Sequence, residues 1–320
     1  MKEKKVLITR QIPQSGIDLL CEKVEVEIWP DDMPIPREVL LSKIHDVDGL
    51  ICMLSDPIDQ ELLTEAALLK VIANYAVGTD NIDVPYAQQK GIRVGNTPGV
   101  LTQTTADLAF SLLMAVSRRI VEAADYVKAG KWKTWGPQLL LGNDIYSSTL
   151  GIIGFGRIGQ AMARRALGFG MEVLYYSRSP KPDLEREMGV KFASLEEIYR
   201  ESDYISLHTD LNESSRGLIN KKALNSMKSN CIIINTARGP VINTDDLVDA
   251  LESGKIAGAG LDVTDPEPIE KDSKLLTIKN CIVVPHIGSA SYVTRSKMSV
   301  MVAENIIAGL SGEMLPYEVE

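Results

Sequence analysis

The sequence predicts an α/β protein built as two doubly wound, parallel-sheet lobes. Three observations lead there. The chain has 320 residues, beyond the size at which a single hydrophobic core usually stops growing. Apolar runs of strand length alternate with longer helix-like stretches, the pattern of repeated βα units. The alternation also comes in two series, separated by a long helical stretch and a glycine-containing break.

Composition narrows the classes. Hydrophobic residues make up 45% and charged residues 24%, close to the average for globular proteins and against disordered or fibrous chains. The net charge is −9, and no Lys/Arg block forms a stripe able to neutralise a run of phosphates, so nucleic acid is not an expected partner. Near the start, in MKEKKVLITR, the apolar stretch is only Val6-Leu7-Ile8, far too short for a signal-peptide core. No run approaches the ~20 apolar residues of a membrane span, so the expected location is cytoplasmic. The cysteines at 21, 52, 231 and 281 form no CxxC pair and have no nearby histidine, so no metal site is expected. Cys52, Cys231 and Cys281 sit in apolar runs and read as small core residues.

In chain order, KKVLITR, VEVEIW, GLICML, KVIANYA and IRVGNT predict the strands of the first lobe. They are near-continuous apolar runs, as strands buried on both faces should be. From Leu101 to Lys128 apolar residues recur at helical spacing without Pro or Gly, which predicts one long helix. Gly130, Gly136, Pro137 and Gly142 then break it. TLGIIGFG, MEVLYYS, YISLHT, CIIINTA, IAGAGLDV and CIVVPHIG predict the six strands of a dinucleotide-binding lobe. A last amphipathic helix, Ser291 to Gly309, is expected to return to the first lobe. No internal repeat or low-complexity tract is visible.

The strongest motif is Gly154-Phe155-Gly156-Arg157-Ile158-Gly159, which follows an apolar strand and opens a good helix former. In that context the glycines have separate uses: Gly154 for the tight turn, Gly156 for close approach of a pyrophosphate, Gly159 for helix–strand packing. The helix N-terminus adds amide donors and the positive end of its dipole. Arg157 reads equally as a phosphate contact or a solvated surface residue. At the end of the next strand an acidic residue would bind a ribose 2′-hydroxyl, but the chain has Ser177, Arg178 and Ser179. A guanidinium can pair with a 2′-phosphate, so NADP(H) is favoured, with NAD(H) usable if Arg178 stacks on adenine or faces solvent.

Only three histidines are present, which narrows the search for a general acid/base near neutral pH. His286 and His208 both close apolar strands, at the carboxyl ends where α/β sheets bind ligands; His45 lies in a polar stretch and reads as a surface residue. Reduction of a carbonyl builds negative charge on oxygen, which an imidazolium can quench. A carboxylate on the other ring nitrogen would orient it, and Glu267 of DPEP is suitable, though it reads as well as a loop residue between prolines. Arg238 in NTARG also ends a strand and is a natural clamp for a substrate carboxylate, with an interlobe salt bridge as the alternative.

Together these residues, in this order, make the chain resemble the D-isomer-specific 2-hydroxyacid dehydrogenases over nearly its whole length. The matching segments are VGTDNID (77–83), GFGRIG (154–159), NTARG (235–239), GAGLDV (258–263), PEP (266–268) and PHIGS (285–289). Within the family it is most similar to the glyoxylate/hydroxypyruvate reductase branch, through LICMLSDPID (50–59), KWKTWGP (131–137) and LYYSRS (174–179). Two departures stand out: Asp210 occupies a position commonly held by Pro, and DVTDPEP varies the usual approach to Glu267.

The resemblance implies His286 as acid/base, Glu267 as its partner, and Arg238 for the substrate carboxylate and carbonyl. It implies backbone amides of Val77 and Gly78 on the carboxylate, Leu54 and Ser55 lining the substrate pocket, and Asp262 near the nicotinamide carboxamide. Trp132 or Trp135 would lie on a segment crossing a homodimer interface, with Trp135 the candidate to reach substrate. Thr236, Ala237, His208 and Gly288 complete the expected nucleotide contacts. Residues 1–99 with 290–320 would form the substrate lobe and 100–289 the nucleotide lobe, Rossmann- and flavodoxin-like folds flanking a cleft that closes on substrate. The expected reaction is NAD(P)H-dependent reduction of glyoxylate or hydroxypyruvate to the D-2-hydroxy acid. The alternatives are the same chemistry on 2-ketogluconate, phosphoglycerate or a bulkier 2-oxo acid, or a nucleotide-sensing protein without turnover.

Overall fold

The computed structural model describes residues 4–319. The chain divides into two compact units, Met1–Leu101 with Ser289–Glu320, and Thr102–Gly288. Among the described residues no helix is long and apolar enough to cross a membrane.

The first unit carries five strands, β1 (Lys5–Ile8), β2 (Glu25–Ile28), β3 (Gly49–Cys52), β4 (Val71–Asn74) and β5 (Arg93–Gly95). They form one parallel sheet in the order β2-β1-β3-β4-β5. β3 and β4 are fully buried along their length, which is why their sequences show no polar alternation. The helix Tyr292–Ser311 belongs to this unit. It packs on the helix Gln14–Cys21, where Ser15 Oγ lies 2.9 Å from Ser299 Oγ. Contact there is close enough to require glycine: a Cβ on Gly16 would lie 2.1 Å from the Ser299 carbonyl oxygen.

The second unit carries β6 (Thr149–Ile153), β7 (Glu172–Tyr176), β8 (Lys191–Phe192), β9 (Tyr204–Leu207), β10 (Ile232–Asn235), β11 (Gly258–Leu261) and β12 (Cys281–Val283). They form a parallel sheet in the order β12-β11-β10-β9-β6-β7-β8. Six strands match those expected; the seventh, β8, is a two-residue exposed edge strand too short to leave a pattern in sequence. The sheet is covered on both faces. One core gathers Ile205, Leu207, Leu224, Ile233 and Leu247; the other gathers Phe110, Leu113, Leu150, Ile152 and Tyr175.

The single helix expected over 101–128 is two, Thr102–Ser117 and Ile120–Lys128. Arg119 adopts a left-handed conformation at the junction, φ +50, and its guanidinium Nε and Nη2 donate to Glu122 at 2.8 and 2.9 Å. The cause is non-local. The Ser117 carbonyl accepts from the Asn143 amide at 2.9 Å, so the returning chain has taken an acceptor that a continuous helix would use four residues on. A Cβ on Gly142 would lie 2.1 Å from the same oxygen.

Gly16→Ala is expected to destabilise the protein by roughly 1–3 kcal/mol, the range for overpacking a fitted contact. Urea unfolding would measure it, and a change within a few tenths would show that the two helices can separate at no cost.

Candidate active site

The nucleotide fingerprint lies where β6 turns into the helix Arg157–Gly168. Gly154 has φ +95, and a Cβ there would meet the His208 carbonyl at 2.3 Å. A Cβ on Gly159 would meet the Gly154 carbonyl at 2.2 Å. Gly156, the helix N-cap, has open space where its Cβ would point. Two glycines therefore close the turn and the third leaves an opening beside a helix N-terminus, which fits a dinucleotide pyrophosphate. Phe155 is buried and stacks on Tyr175 at 4.1 Å, anchoring the turn in the core. Arg157 and Ile158 begin the helix, with Arg157 exposed.

Ser177, Arg178 and Ser179 follow β7, and no carboxylate occupies the three positions. Ser177 Oγ donates to the Ser179 carbonyl at 2.7 Å, shaping a tight local turn, and Arg178 is exposed. His208 follows β9 and its amide donates to the Ile153 carbonyl at 2.7 Å. Its Nε2 lies 2.8 Å from Ser206 Oγ, while Nδ1 is inaccessible and has no partner among the described residues. Burial pushes this imidazole down from 6.5 to about 3.

His286 follows β12 and has φ +50, uncommon for a residue with a side chain. Asp262, at the end of β11, secures that conformation. Its carbonyl accepts the His286 amide at 2.9 Å. Its carboxylate accepts the Ile287 amide at 2.6 Å and the Gly288 amide at 2.8 Å. The Gly288 carbonyl accepts from Thr105 Oγ1 at 3.2 Å. Asp262 is buried, and burial pushes its carboxyl up, against the lowering by the two amides and by His286. The turn presents the imidazole to Glu267: Nδ1 lies 2.5 Å from Glu267 Oε1, with the side chains 28% and 34% exposed. Glu267 is hydrogen-bonded to the ring, the contact that its reading as the imidazole's partner expects. Fixing Nδ1 as the proton-bearing donor leaves Nε2 to act on a ligand.

Arg238 follows β10, one residue beyond the buried Thr236 and Ala237. Asn235 holds this turn from both sides: its Nδ2 donates to the Arg238 carbonyl at 2.9 Å and its Oδ1 accepts the Ala237 amide at 3.0 Å. Arg238 Nη1 donates to the Ala237 carbonyl at 2.8 Å. Gly239 follows, and a Cβ there would lie 1.8 Å from the Thr264 carbonyl, so the Arg238 turn is pressed against the segment leading to Glu267.

In the first unit, Leu54 and Ser55 are exposed on the loop after β3. Val77 and Gly78 follow β4, and their carbonyls are held by Asn96 Nδ2 and Asn74 Nδ2, each at 2.7 Å. Those contacts fix the direction of the adjoining peptide groups. Trp132 and Trp135 lie outside regular structure, 60% and 78% exposed.

Two supporting residues were not singled out from sequence. Asn235 lies inside a motif whose arginine drew the attention. Ser206 is one polar residue in an apolar strand. Asp262, expected near the nicotinamide carboxamide, also holds the His286 turn through both carboxylate oxygens.

Residues 110–288 match the family profile described as "D-isomer specific 2-hydroxyacid dehydrogenase, NAD binding domain". The chain is 52% identical over 316 residues to a glyoxylate reductase of Thermococcus kodakarensis, covering 98% of this chain and 95% of that one. It is 47% identical over 320 residues to the human glyoxylate reductase/hydroxypyruvate reductase, covering 99% and 98%. Among solved structures, a glyoxylate reductase from Paecilomyes thermophila superposes with a TM-score of 0.88 at 34% identity, covering 100% of this chain and 99% of that one. An NADPH-dependent glyoxylate/hydroxypyruvate reductase from Sinorhizobium meliloti, in complex with NADP and malonate, superposes at 0.86 with 30% identity, covering 99% and 97%.

His208 makes a pH prediction. Its folded value lies below its ordinary one, so the unfolded chain binds the extra proton; the stability it contributes is complete above pH 6.5 and is lost as pH falls toward 3. His208→Gln lacks this titration, so its urea midpoint should fall less steeply than the parent's between pH 7 and pH 4.5. Parallel slopes would mean that the ring is not held neutral.

Proposed function

We propose that this chain, which belongs to the D-isomer specific 2-hydroxyacid dehydrogenase family, reduces glyoxylate and hydroxypyruvate to the corresponding D-2-hydroxy acids with a nicotinamide cofactor. The observation that carries the reading is the His286–Glu267 pair, 2.5 Å apart, on a turn secured by Asp262 at the carboxyl end of the nucleotide-binding sheet. That pair also weighs against a sensing protein without turnover, which has no use for an oriented acid/base.

Gly154, Gly156 and Gly159 would hold the pyrophosphate, with Arg157, Ile158, Thr236, Ala237, His208 and Gly288 as further nucleotide contacts. When bound, the reduced nicotinamide supplies the hydride that reaches the carbonyl carbon. His286, as imidazolium, gives its Nε2 proton to the carbonyl oxygen, and Glu267 stabilises that cation through Nδ1. Arg238 takes the carboxylate and polarises the carbonyl, lowering the energy of the charge that develops on oxygen. The Val77 and Gly78 amides are assigned to the same carboxylate, and Leu54, Ser55 and Trp135 to the substrate side. The first unit is then the substrate unit and the second the nucleotide unit.

For the nucleotide, the absence of an acid at 177–179 and the exposed Arg178 favour NADP(H). For assembly, we assign a homodimer. The helix Ile120–Lys128 buries none of its residues, and Ile120, Val121 and Val127 are about half exposed, beside the exposed Trp132 and Trp135. An apolar surface of this kind is what a second subunit would cover.

The test is loss of absorbance at 340 nm with glyoxylate, hydroxypyruvate, pyruvate and 2-ketogluconate, each with NADPH and NADH. Fast turnover of the first two is expected, and silence with both would sink the reading. His286→Ala should lower kcat by about 10²- to 10⁴-fold, the usual contribution of a general acid; a rate within a few-fold of the parent would remove His286 from that role. Arg178→Ala should raise KM for NADPH more than for NADH, and equal losses would contradict a 2′-phosphate contact.

A further inference from the structure

The carboxyl end of β7 holds a contact that neither the glycine turn nor the acid/base pair uses. Tyr175, one residue before the end of that strand, is fully buried. Apolar partners hold its ring: it stacks on Phe155 at 4.1 Å and meets Phe192 edge-on at 5.6 Å. Phenylalanine would fill that space equally well. The hydroxyl needs a separate reason, because a buried phenol has to find hydrogen-bond partners. It finds them in the segment that follows the strand. Oη accepts the Lys181 amide at 2.6 Å and donates to Glu185 Oε1 at 2.9 Å. The Glu185 amide donates in turn to the Lys181 carbonyl at 3.0 Å. Phenol, Lys181 and the first turn of the helix Pro182–Met188 thus close one ring of hydrogen bonds.

The loop so closed carries Ser177, Arg178 and Ser179, and its charges are sorted. Both acids of the helix's first turn are engaged, Glu185 by Tyr175 and Asp183 by Arg186. The two cations nearest the strand, Arg178 and Lys181, have no side-chain partner among the described residues. Glu185 stands four residues after Lys181, a spacing at which carboxylate and ammonium groups pair along a helix. The phenol takes that carboxylate instead and leaves the lysine uncompensated.

We infer that Tyr175 is a positioning residue for the 2′-phosphate of the cofactor: its hydroxyl ties down the segment after β7 so that Arg178 and Lys181 are offered to that phosphate. The inference rests on the reading of NADP(H) as the favoured nucleotide and deepens it. An arginine on a loop already held in place loses less freedom on binding than one on a loose loop. The same side chain that packs against Phe155 of the pyrophosphate turn also holds the 2′-phosphate loop, so the two anion subsites of one dinucleotide keep a fixed spacing.

The experiment compares the parent, Tyr175→Phe, Arg178→Ala and the double variant as full chains. Calorimetry measures binding of adenosine 2′,5′-bisphosphate and of adenosine 5′-monophosphate, which differ only in the 2′-phosphate. Steady-state kinetics with glyoxylate give kcat/KM for NADPH and for NADH. Tyr175→Phe keeps the stacked ring and removes one oxygen. It should weaken the bisphosphate by about 3- to 10-fold and the monophosphate by less than about twofold, the worth of one intramolecular hydrogen bond felt at the 2′-phosphate alone. The NADPH/NADH ratio of kcat/KM should fall to match. Because the hydroxyl acts through Arg178, its loss should matter less in the Arg178→Ala background than in the parent.

A tyrosine that only supports the core would lower the melting temperature and weaken both nucleotides alike, and that result overturns the inference. So do additive losses in the double variant. If Tyr175→Phe does not fold, deuterium exchange in the parent decides. Coupling between sites is reciprocal, so the bisphosphate should slow exchange of the Lys181 amide more than the monophosphate does; equal slowing overturns the inference. Loss of bisphosphate binding in Arg178→Ala but not in Tyr175→Phe keeps the NADP(H) reading and sinks this inference alone. An Arg178→Ala variant that binds the bisphosphate as the parent does removes that reading, and the inference with it.

Discussion

The arrangement in the second unit depends on one buried carboxylate. Asp262 follows β11 and holds three consecutive amides, those of His286, Ile287 and Gly288, through its own carbonyl and both side-chain oxygens. A left-handed histidine costs roughly 1–2 kcal/mol against the ordinary helical conformation, and charge-assisted hydrogen bonds of this kind offset it. Without the clamp the turn has no reason to keep its shape, and the imidazole loses its line to Glu267. The raised carboxyl of Asp262 is the cost of placing that charge in the interior, lessened by the amides it binds.

A similar division between visible chemistry and hidden support runs through the sequence. The strand series, the glycine turn and the His286, Glu267 and Arg238 positions were legible because each depends on local pattern: apolar runs, a turn that tolerates only glycine, polar residues closing apolar strands. What was illegible depends on contacts between distant parts of the chain. Nothing in the run from Leu101 to Lys128 announces that Asn143 will claim the Ser117 carbonyl, so the helix read as unbroken. The support that Asp262 gives the His286 turn left no trace in the sequence, because its partners there are distant backbone amides, which have no sequence signature.

In the first unit, asparagine side chains hold the loops that follow β3 and β4. Asn74 and Asn96 hold the carbonyls of Gly78 and Val77, and Asn81 donates from the same region to the Met53 and Asp56 carbonyls. The loops after β3 and β4 are therefore joined by asparagine side chains, which bind backbone without adding charge.

Gly239 carries one more consequence. With the Thr264 carbonyl where its Cβ would be, the turn bearing Arg238 and the segment leading to Glu267 form one mechanical part, and neither can be re-aimed without displacing the other. Redesign of this protein toward larger 2-oxo acids therefore has little freedom on the second unit. The exposed loop at Leu54 and Ser55, which the proposed function assigns to the substrate side, is where directed libraries would begin.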